Sequence, residues 1–273
     1  VNVLPLAKQA AVIGALTEGV GVRAVSRLYG HHTKTINNLL LSVGEGCAKL
    51  HGSMMIGLGC QRLEIDEIHS FVGSKKSSDQ KKGEQYTFIA LCGASRAIVS
   101  YYTGKRTRKS AQLFLADARQ RVMGTPEISS DCLPSYLHAI RELMGPAVYG
   151  RISKSFGKMY RADIIGRQEF ISTQRVERQN LTLRQSQKRF GRGSSGYSKT
   201  FEHHLAAIAL YVFNYNFCRI HRALRITPAM QLGVSNHIWS LEEMVSRAQQ
   251  DVRHQKTVNV GAPRASLLLL AEG

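Results

Sequence analysis

Three carboxylates in this chain have the residue type and surroundings for metal-assisted chemistry at phosphate. Asp66 stands inside the apolar run "RLEIDEIHSFVG" (Arg62–Gly73), between Ile65 and Ile68. A carboxylate buried in such a strand is costly without a partner, and binding a cation is one of the few ways to offset that cost. Asp131 follows a short segment, Glu127–Ser130. Glu177 lies in "STQRVERQNLTLRQSQKRF", which reads as a helix start with Ser172 or Thr173 as its cap. The separations, 131 − 66 = 65 and 177 − 131 = 46 residues, allow three points to converge through a fold. All three groups are ionised at neutral pH, with reference values of about 4. Hard oxygen ligands of this kind suit Mg2+ or Mn2+. Two such ions roughly 4 Å apart can activate an attacking oxygen and stabilise a leaving one in an in-line displacement. Should the second acid lie elsewhere, Asp117 and Asp163 are the alternatives.

The cations around the third acid fit the same chemistry. Arg184 follows Glu177 by seven residues, two helical turns, so both project from nearly one face. Arg178, Lys188 and Arg189 are further candidates for holding a phosphate backbone. From Ala147 to Arg192 there are eleven Lys and Arg against three acids, an electrostatic track for DNA. The whole chain carries 37 Lys and Arg against 19 Asp and Glu, a net +18 with pI near 10.0, which favours a polyanionic partner.

The elements that must position these groups follow from the pattern of apolar residues. Residues 5–50 read as three helices. The second carries Val22, Val25 and Leu28, Gly30 supplies a turn, and the third has Ile36, Leu40, Val43, Cys47 and Leu50 on one stripe. Lys34 and Asn38 lie opposite that stripe, with Asn37 on its flank. A short helix, a tight turn and a helix with a polar, basic start fit a helix-turn-helix DNA reader. After the glycines at 52, 57 and 59 the grammar changes to strands: "RLEIDEIHSFVG", "EQYTFIALCG" and "RAIVSYYTG". A helix with Ala111, Phe114, Leu115, Ala118 and Val122 comes next, then the strand Glu127–Ser130, a helix from Pro134 to Met144, the strand "AVYGRIS" and a long helix. This order predicts an α/β fold, a ribonuclease H-like mixed sheet with flanking helices, preceded by a small all-α helix-turn-helix module. The expected divisions are 1–52, 60–235, and 236–273 for a C-terminal helix with a mobile tail after about Arg253. A helix with Phe201, Leu205, Ile208, Val212 and Tyr215 is expected to pack on the sheet, His221 to be structural, and Trp239 to anchor the last short helix.

Other classes are disfavoured. The five cysteines (Cys47, Cys60, Cys92, Cys132, Cys218) form no C-x-x-C pair and read as buried, reduced thiols. No apolar run approaches the roughly 20 residues of a membrane helix, and no basic segment leads into an apolar one as in an export signal. A cytoplasmic, nucleoid-associated protein is expected. Two adjacent histidine pairs occur (His31-His32, His203-His204), but no His-x-His of the kind single-strand tyrosine transposases need.

"LEIDEIHSFVG", "STQRVERQNLTLRQ" and "YNFCRIHRALRITPAM" resemble blocks of the transposases of the insertion-sequence-one family. "LPLAKQAAVIGALTEG" and "VRAVSRL" are similar to that family's N-terminal DNA-binding region, and "IWSLEEMV" to its C-terminal end. The resemblance implies a DDE transposase with Asp66 and Glu177 as first and third catalytic acids, Asp131 as the second, and Arg184 as the basic residue after the glutamate. It implies Mg2+ or Mn2+, two ions, as cofactor. The partners would be double-stranded DNA, as element terminal repeats and target, and further copies of the chain in a synaptic complex. The chain departs from the family in having Cys132 and Pro134 after Asp131 in place of Asp-Gly, and "ALCGAS" where an acidic turn is usual. It also lacks the zinc-binding cysteines of some members. The competing readings are a catalytically decayed copy that binds DNA only through its helix-turn-helix, and a host ribonuclease or junction nuclease, which would not need such a module.

Overall fold

The computed structural model describes residues 3–155, 157–191, 193 and 195–258, with side chains as far as Gln250. Three helices open it: α1 (Leu6–Thr17), α2 (Val22–Tyr29) and α3 (Thr33–Met54). Gly30, at φ 68°, ends α2 in the left-handed region that glycine alone adopts without strain, and it turns the chain directly into α3. The stripe expected on α3 is the buried one, from Ile36 through Leu40, Val43 and Cys47 to Leu50. Lys34 and Asn38 are exposed and Asn37 is half-buried. On α2 only Val25 is buried, while Leu28, expected beside it, is 68% exposed.

The sheet has six strands in the order β3-β2-β1-β4-β5-β6. β1 (Arg62–Val72), β2 (Gly83–Cys92) and β3 (Ile98–Gly104) form an antiparallel meander in which Asp66 pairs with Ile89. β4 (Glu127–Ser130) and β5 (Val148–Ser155) run parallel to β1. Five of these strands, with their helices, are consistent with the ribonuclease H-like fold. The sixth, β6 (Lys158–Ile165), was not expected. It returns antiparallel from β5 as a hairpin before α6 (Gln174–Ser186), a helix of 13 residues rather than a long one. β6 is exposed from Lys158 to Asp163, so it carries no apolar alternation to be read. Its Lys158 and Arg161 are the kind of charge that keeps a sheet edge from recruiting another strand.

Helices cover both faces. α4 (Arg108–Arg121) and α5 (Pro134–Leu143) bring Phe114 and Tyr136 onto Phe88. On the other face α6 and α7 (Phe201–Phe213) set Val176, Leu183, Ile208 and Val212 against Ile68, Ile89, Leu91 and Ile98. Each such side chain, fully buried, contributes roughly 1.5–3 kcal/mol. α7 therefore packs on the sheet as expected. A π-turn (Asn214–Cys218) and a short α8 (Pro228–Gln231) lead to Trp239, which is 5% exposed and packed edge-on to Phe213 and tilted against Phe217. α9 (Leu241–Val258) is longer than expected and runs through Arg253; the tail anticipated beyond it lies outside the described residues.

α3 joins the opening helices to this body. It continues through Gly52 and packs on α7 and α9. Glycines make the crossings possible: a Cβ at Gly44 would meet the Ala206 carbonyl oxygen at 2.5 Å, and one at Gly46 the Ala248 carbonyl oxygen at 2.1 Å. The cysteines depart in part from expectation. All five are free thiols, but only Cys47, Cys60 and Cys92 are buried; Cys132 is exposed and Cys218 half-buried. Cys132 follows β4 in the bend before α5, exposed although its thiol donates to the Ile152 carbonyl of β5 at 3.5 Å. Among the described residues no helix is long and apolar enough to cross a membrane.

Candidate active site

β4 is only four residues long and pairs with β1 only from Arg62 to Glu64. Past Glu64, β1 has no strand on that side, and a notch opens at the carboxyl end of β4. Asp66 and Glu67 are neighbours on a strand and start toward opposite faces, yet both reach this notch. With Asp131, the first residue after β4, they present oxygens that all lie within 4.8 Å of one another. Burial, then the charges of Glu67 and Asp131, push the Asp66 carboxyl up to about 7, against a hydrogen bond from Asn180. Glu67 is also raised, by burial and by Asp131, although Arg106 and Tyr136 oppose this. Arg106 Nε donates to Glu67 at 2.7 Å, and the Tyr136 hydroxyl donates at 2.9 Å. The Arg106 guanidinium also lies 4.0 Å from Asp131.

These donors fit a divalent cation. Burial, with the neighbouring carboxylates adding to it, raises Asp66 to about 7, and a cation between these acids would reverse that balance. Asn180 adds a second sign. It is 1% exposed, its Nδ2 donates to Asp66 at 2.8 Å, and its Oδ1 is buried without a donor. A further hard oxygen thus stands beside Asp66 with no hydrogen bond of its own.

α6 is set on β1 by an acid from the strand. Thr173 is at the N-cap, but its side chain does not cap; it donates instead to Glu177 at 2.6 Å. Ser172 Oγ accepts only the Gln174 N–H, at 3.3 Å. The next two amides, of Arg175 and Val176, donate to Glu64 at 2.8 and 3.2 Å, and the Arg175 guanidinium joins them at 3.1 Å. A carboxylate suits a helix N-terminus, so the expected Ser or Thr cap is largely replaced by Glu64. From Glu64 to Asp66 the strand advances about 6.6 Å. From Val176 to Asn180 the helix advances about 6 Å. The helix runs along the strand in matching register, and Asn180 arrives at Asp66 as a result.

The predicted site residues divide accordingly. Asp66 and Asp131 come together, and Glu67 joins them. Glu177, one turn before Asn180, is outside that group: both its oxygens take hydrogen bonds from Lys154 Nζ on β5, at 2.8 and 2.7 Å. Arg184 is half-buried, on the same flank of α6 as Glu177 and one turn beyond Asn180. Arg178 is exposed on another flank of α6, and Lys188 is exposed in the 3-10 turn after it. Arg189 turns inward to Ser198 Oγ, and burial lowers it to about 10. Lys34, Asn37 and Asn38 belong to the first turns of α3. The alternative acids are engaged elsewhere, Asp117 with Arg121 and Ser100, and Asp163 with the Gln168 amide.

Sequence reasoning missed Glu64, Glu67, Arg106, Lys154 and Asn180. Glu64 and Asp66 do share a strand face at i, i+2, and Asn180 follows Glu177 at i+3, so both had a readable signal. Glu67 had none, because strand alternation sends it to the opposite face, where Tyr136 of α5 meets it.

Residues 152–218, 67 of the 273, match the family model described as IS1 transposase. The match runs from β5 through β6, α6 and α7 to the end of the π-turn. It takes in Lys154, Glu177, Asn180 and Arg184 and stops short of Asp66 and Asp131. A search of curated proteins finds no match. Through residues 152–218 the chain is similar to the IS1 transposases.

Proposed function

We propose that the chain is a DNA transposase that cleaves at the ends of its own insertion sequence and joins the freed 3′-hydroxyls to target DNA. Both steps are phosphoryl transfers at one site, first to water and then to a DNA hydroxyl. The observation that carries this reading is the group Asp66, Glu67 and Asp131 at the open end of β4. Asp66 and Asp131, with Glu67, would hold Mg2+ or Mn2+, and Glu177 would complete the set on exchanging Lys154 for metal. Bound metal would activate the attacking oxygen and neutralise the leaving one. Asn180 orients Asp66, while Arg106 and Tyr136 fix Glu67 toward the notch. Arg184 would hold the DNA backbone beside the acids. Lys34, Asn37 and Asn38 would face a major groove as part of a helix-turn-helix, and two or more copies would assemble on the paired ends.

A second reading rests on the Lys154–Glu177 pair: a copy that binds DNA but has lost cleavage, its third acid neutralised by lysine. One assay separates the two. Duplexes bearing the repeats that flank the element are incubated with Mg2+ and wild-type chain or Glu177→Gln. Nicking by wild type and none by the variant supports the enzyme. Binding without nicking by either supports the decayed copy.

A further inference from the structure

On a side of α6 away from Glu177 lies a cleft of about 710 Å³ that the carboxylate site does not use. Six arginines line it: Arg96, Arg175, Arg178, Arg219, Arg222 and Arg225. Its lining contains no acid and no lysine. Arg175 is paired with Glu64, but Arg178, Arg219, Arg222 and Arg225 have no ion-pair partner among the described residues. Concave surfaces lined by one sign of charge focus the field and concentrate counter-ions. A cleft of unpaired guanidiniums therefore calls for a polyanion.

The backbone holds these groups at some cost. Among the described residues the non-glycine positions with positive φ are Arg96 (62°) and Arg225 (64°), and both line this cleft. Each holds a backbone conformation that Gly would adopt without strain. Both turns are pinned. The Arg225 and Leu224 amides donate to the His221 carbonyl, the His221 amide donates to the Ile226 carbonyl, and the Tyr215 hydroxyl donates to the Arg96 carbonyl. Three arginines at every third position, 219, 222 and 225, are thus presented on a fixed turn rather than on a loose loop.

We propose that this cleft is a second binding groove for the phosphate backbone of duplex DNA, separate from the carboxylates. The proposal rests on the DNA reading above and adds a second contact line to it. Guanidinium forks match phosphate oxygens in pairs, which lysine does not reproduce. The cleft offers little of the stacking platform that single strands require: Tyr215 is 6% exposed, with its hydroxyl committed to Arg96, and the other ring in the lining, His221, is half-buried.

The test measures binding of the full chain to random-sequence duplex, with EDTA present so that nothing is cleaved, over a series of NaCl concentrations. Wild type is compared with Arg219→Gln/Arg222→Gln/Arg225→Gln and with the matching triple Lys variant. The plot of log K against log salt should lose about 0.9 of slope per lost phosphate contact, roughly 2.7 for the Gln triple. The Lys triple should keep the slope and bind more weakly. An unchanged slope in the Gln triple overturns the groove. A slope loss seen only with single-stranded DNA overturns the duplex assignment. Failure of wild type itself to bind duplex would overturn the DNA reading of the whole chain, a result distinguishable from either.

Discussion

Replacing Glu64 by Ala and by Gln separates two ways in which a buried acid can hold a helix. Glu64 is 3% exposed and accepts the backbone N–H groups of Arg175 and Val176 together with the Arg175 guanidinium. Ala leaves two amides without an acceptor. Each orphaned buried donor costs about 1–3 kcal/mol, so the loss is roughly 2–6 kcal/mol. The guanidinium, about a third exposed, finds water and adds little. Gln keeps an acceptor oxygen and gives up only charge. Burial raises the Glu64 carboxyl above its usual range, outweighing the amides and Arg175 that lower it. Ionisation there is therefore not a net source of stability, and Gln should cost under about 1.5 kcal/mol. Urea unfolding followed by the single tryptophan, Trp239, reads the global loss. Hydrogen exchange at the Arg175 and Val176 amides reads any local opening of α6. Equal losses for Ala and Gln, or protected amides in the Ala variant, would refute the capping role.

Asp66→Asn, Asp131→Asn and Glu177→Gln should each abolish Mg2+-dependent nicking while leaving duplex affinity within about two-fold of wild type; normal nicking by Asp131→Asn would remove it from the acid set. Gly46→Val should destabilise by more than about 2 kcal/mol, because its Cβ would strike the Ala248 backbone; an unchanged urea midpoint would count against the close crossing of α3 and α9. His51 and His204 are buried neutral, lowered by burial and then by a nearby arginine to about 4 and about 3. Only the unfolded chain binds protons at these sites once pH falls below about 6.5, so stability is full above that value and declines at about 1.4 kcal/mol per pH unit for each histidine down to about pH 4. Asp66, raised to about 7, contributes in the opposite sense over the same range, so the check is the difference between wild type and His204→Gln: it should change by about 1.4 kcal/mol per pH unit between about pH 6 and 4.5, and a pH-independent difference would refute the buried neutral His204.

Much of the layout was legible because its physics is local. The alternation in β1, the apolar stripe of α3 and the glycine stops between strands each declare themselves within a dozen residues. The four-residue β4 is legible only as a short segment ahead of Asp131. What escaped depends on contacts distant in the chain. β6 has no apolar face, so only pairing with β5 reveals it. The cap on α6 comes from a residue more than a hundred positions earlier, and no propensity at Ser172 or Thr173 announces that Glu64 will take most of the role. The meeting of Asp66 with Glu67 runs against strand alternation and lies beyond the β1–β4 pairing. Leu28 fits a helical stripe by spacing alone, yet nothing in α1 or α3 covers it.

The continuity of α3 has a mechanical consequence. It runs unbroken from Thr33 to Met54, about 33 Å at 1.5 Å per residue, close to one turn of B-DNA. Its far half is clamped where Gly44 and Gly46 meet Ala206 and Ala248, and its last turns are tied by Arg121, which donates to the carbonyls of His51 and Met55. The helix therefore works as a strut with one end cast into the body of the protein. Whatever touches Lys34 and Asn38 is held at a set span from the sheet, and a pull or twist there is delivered to α7 and α9 without slack.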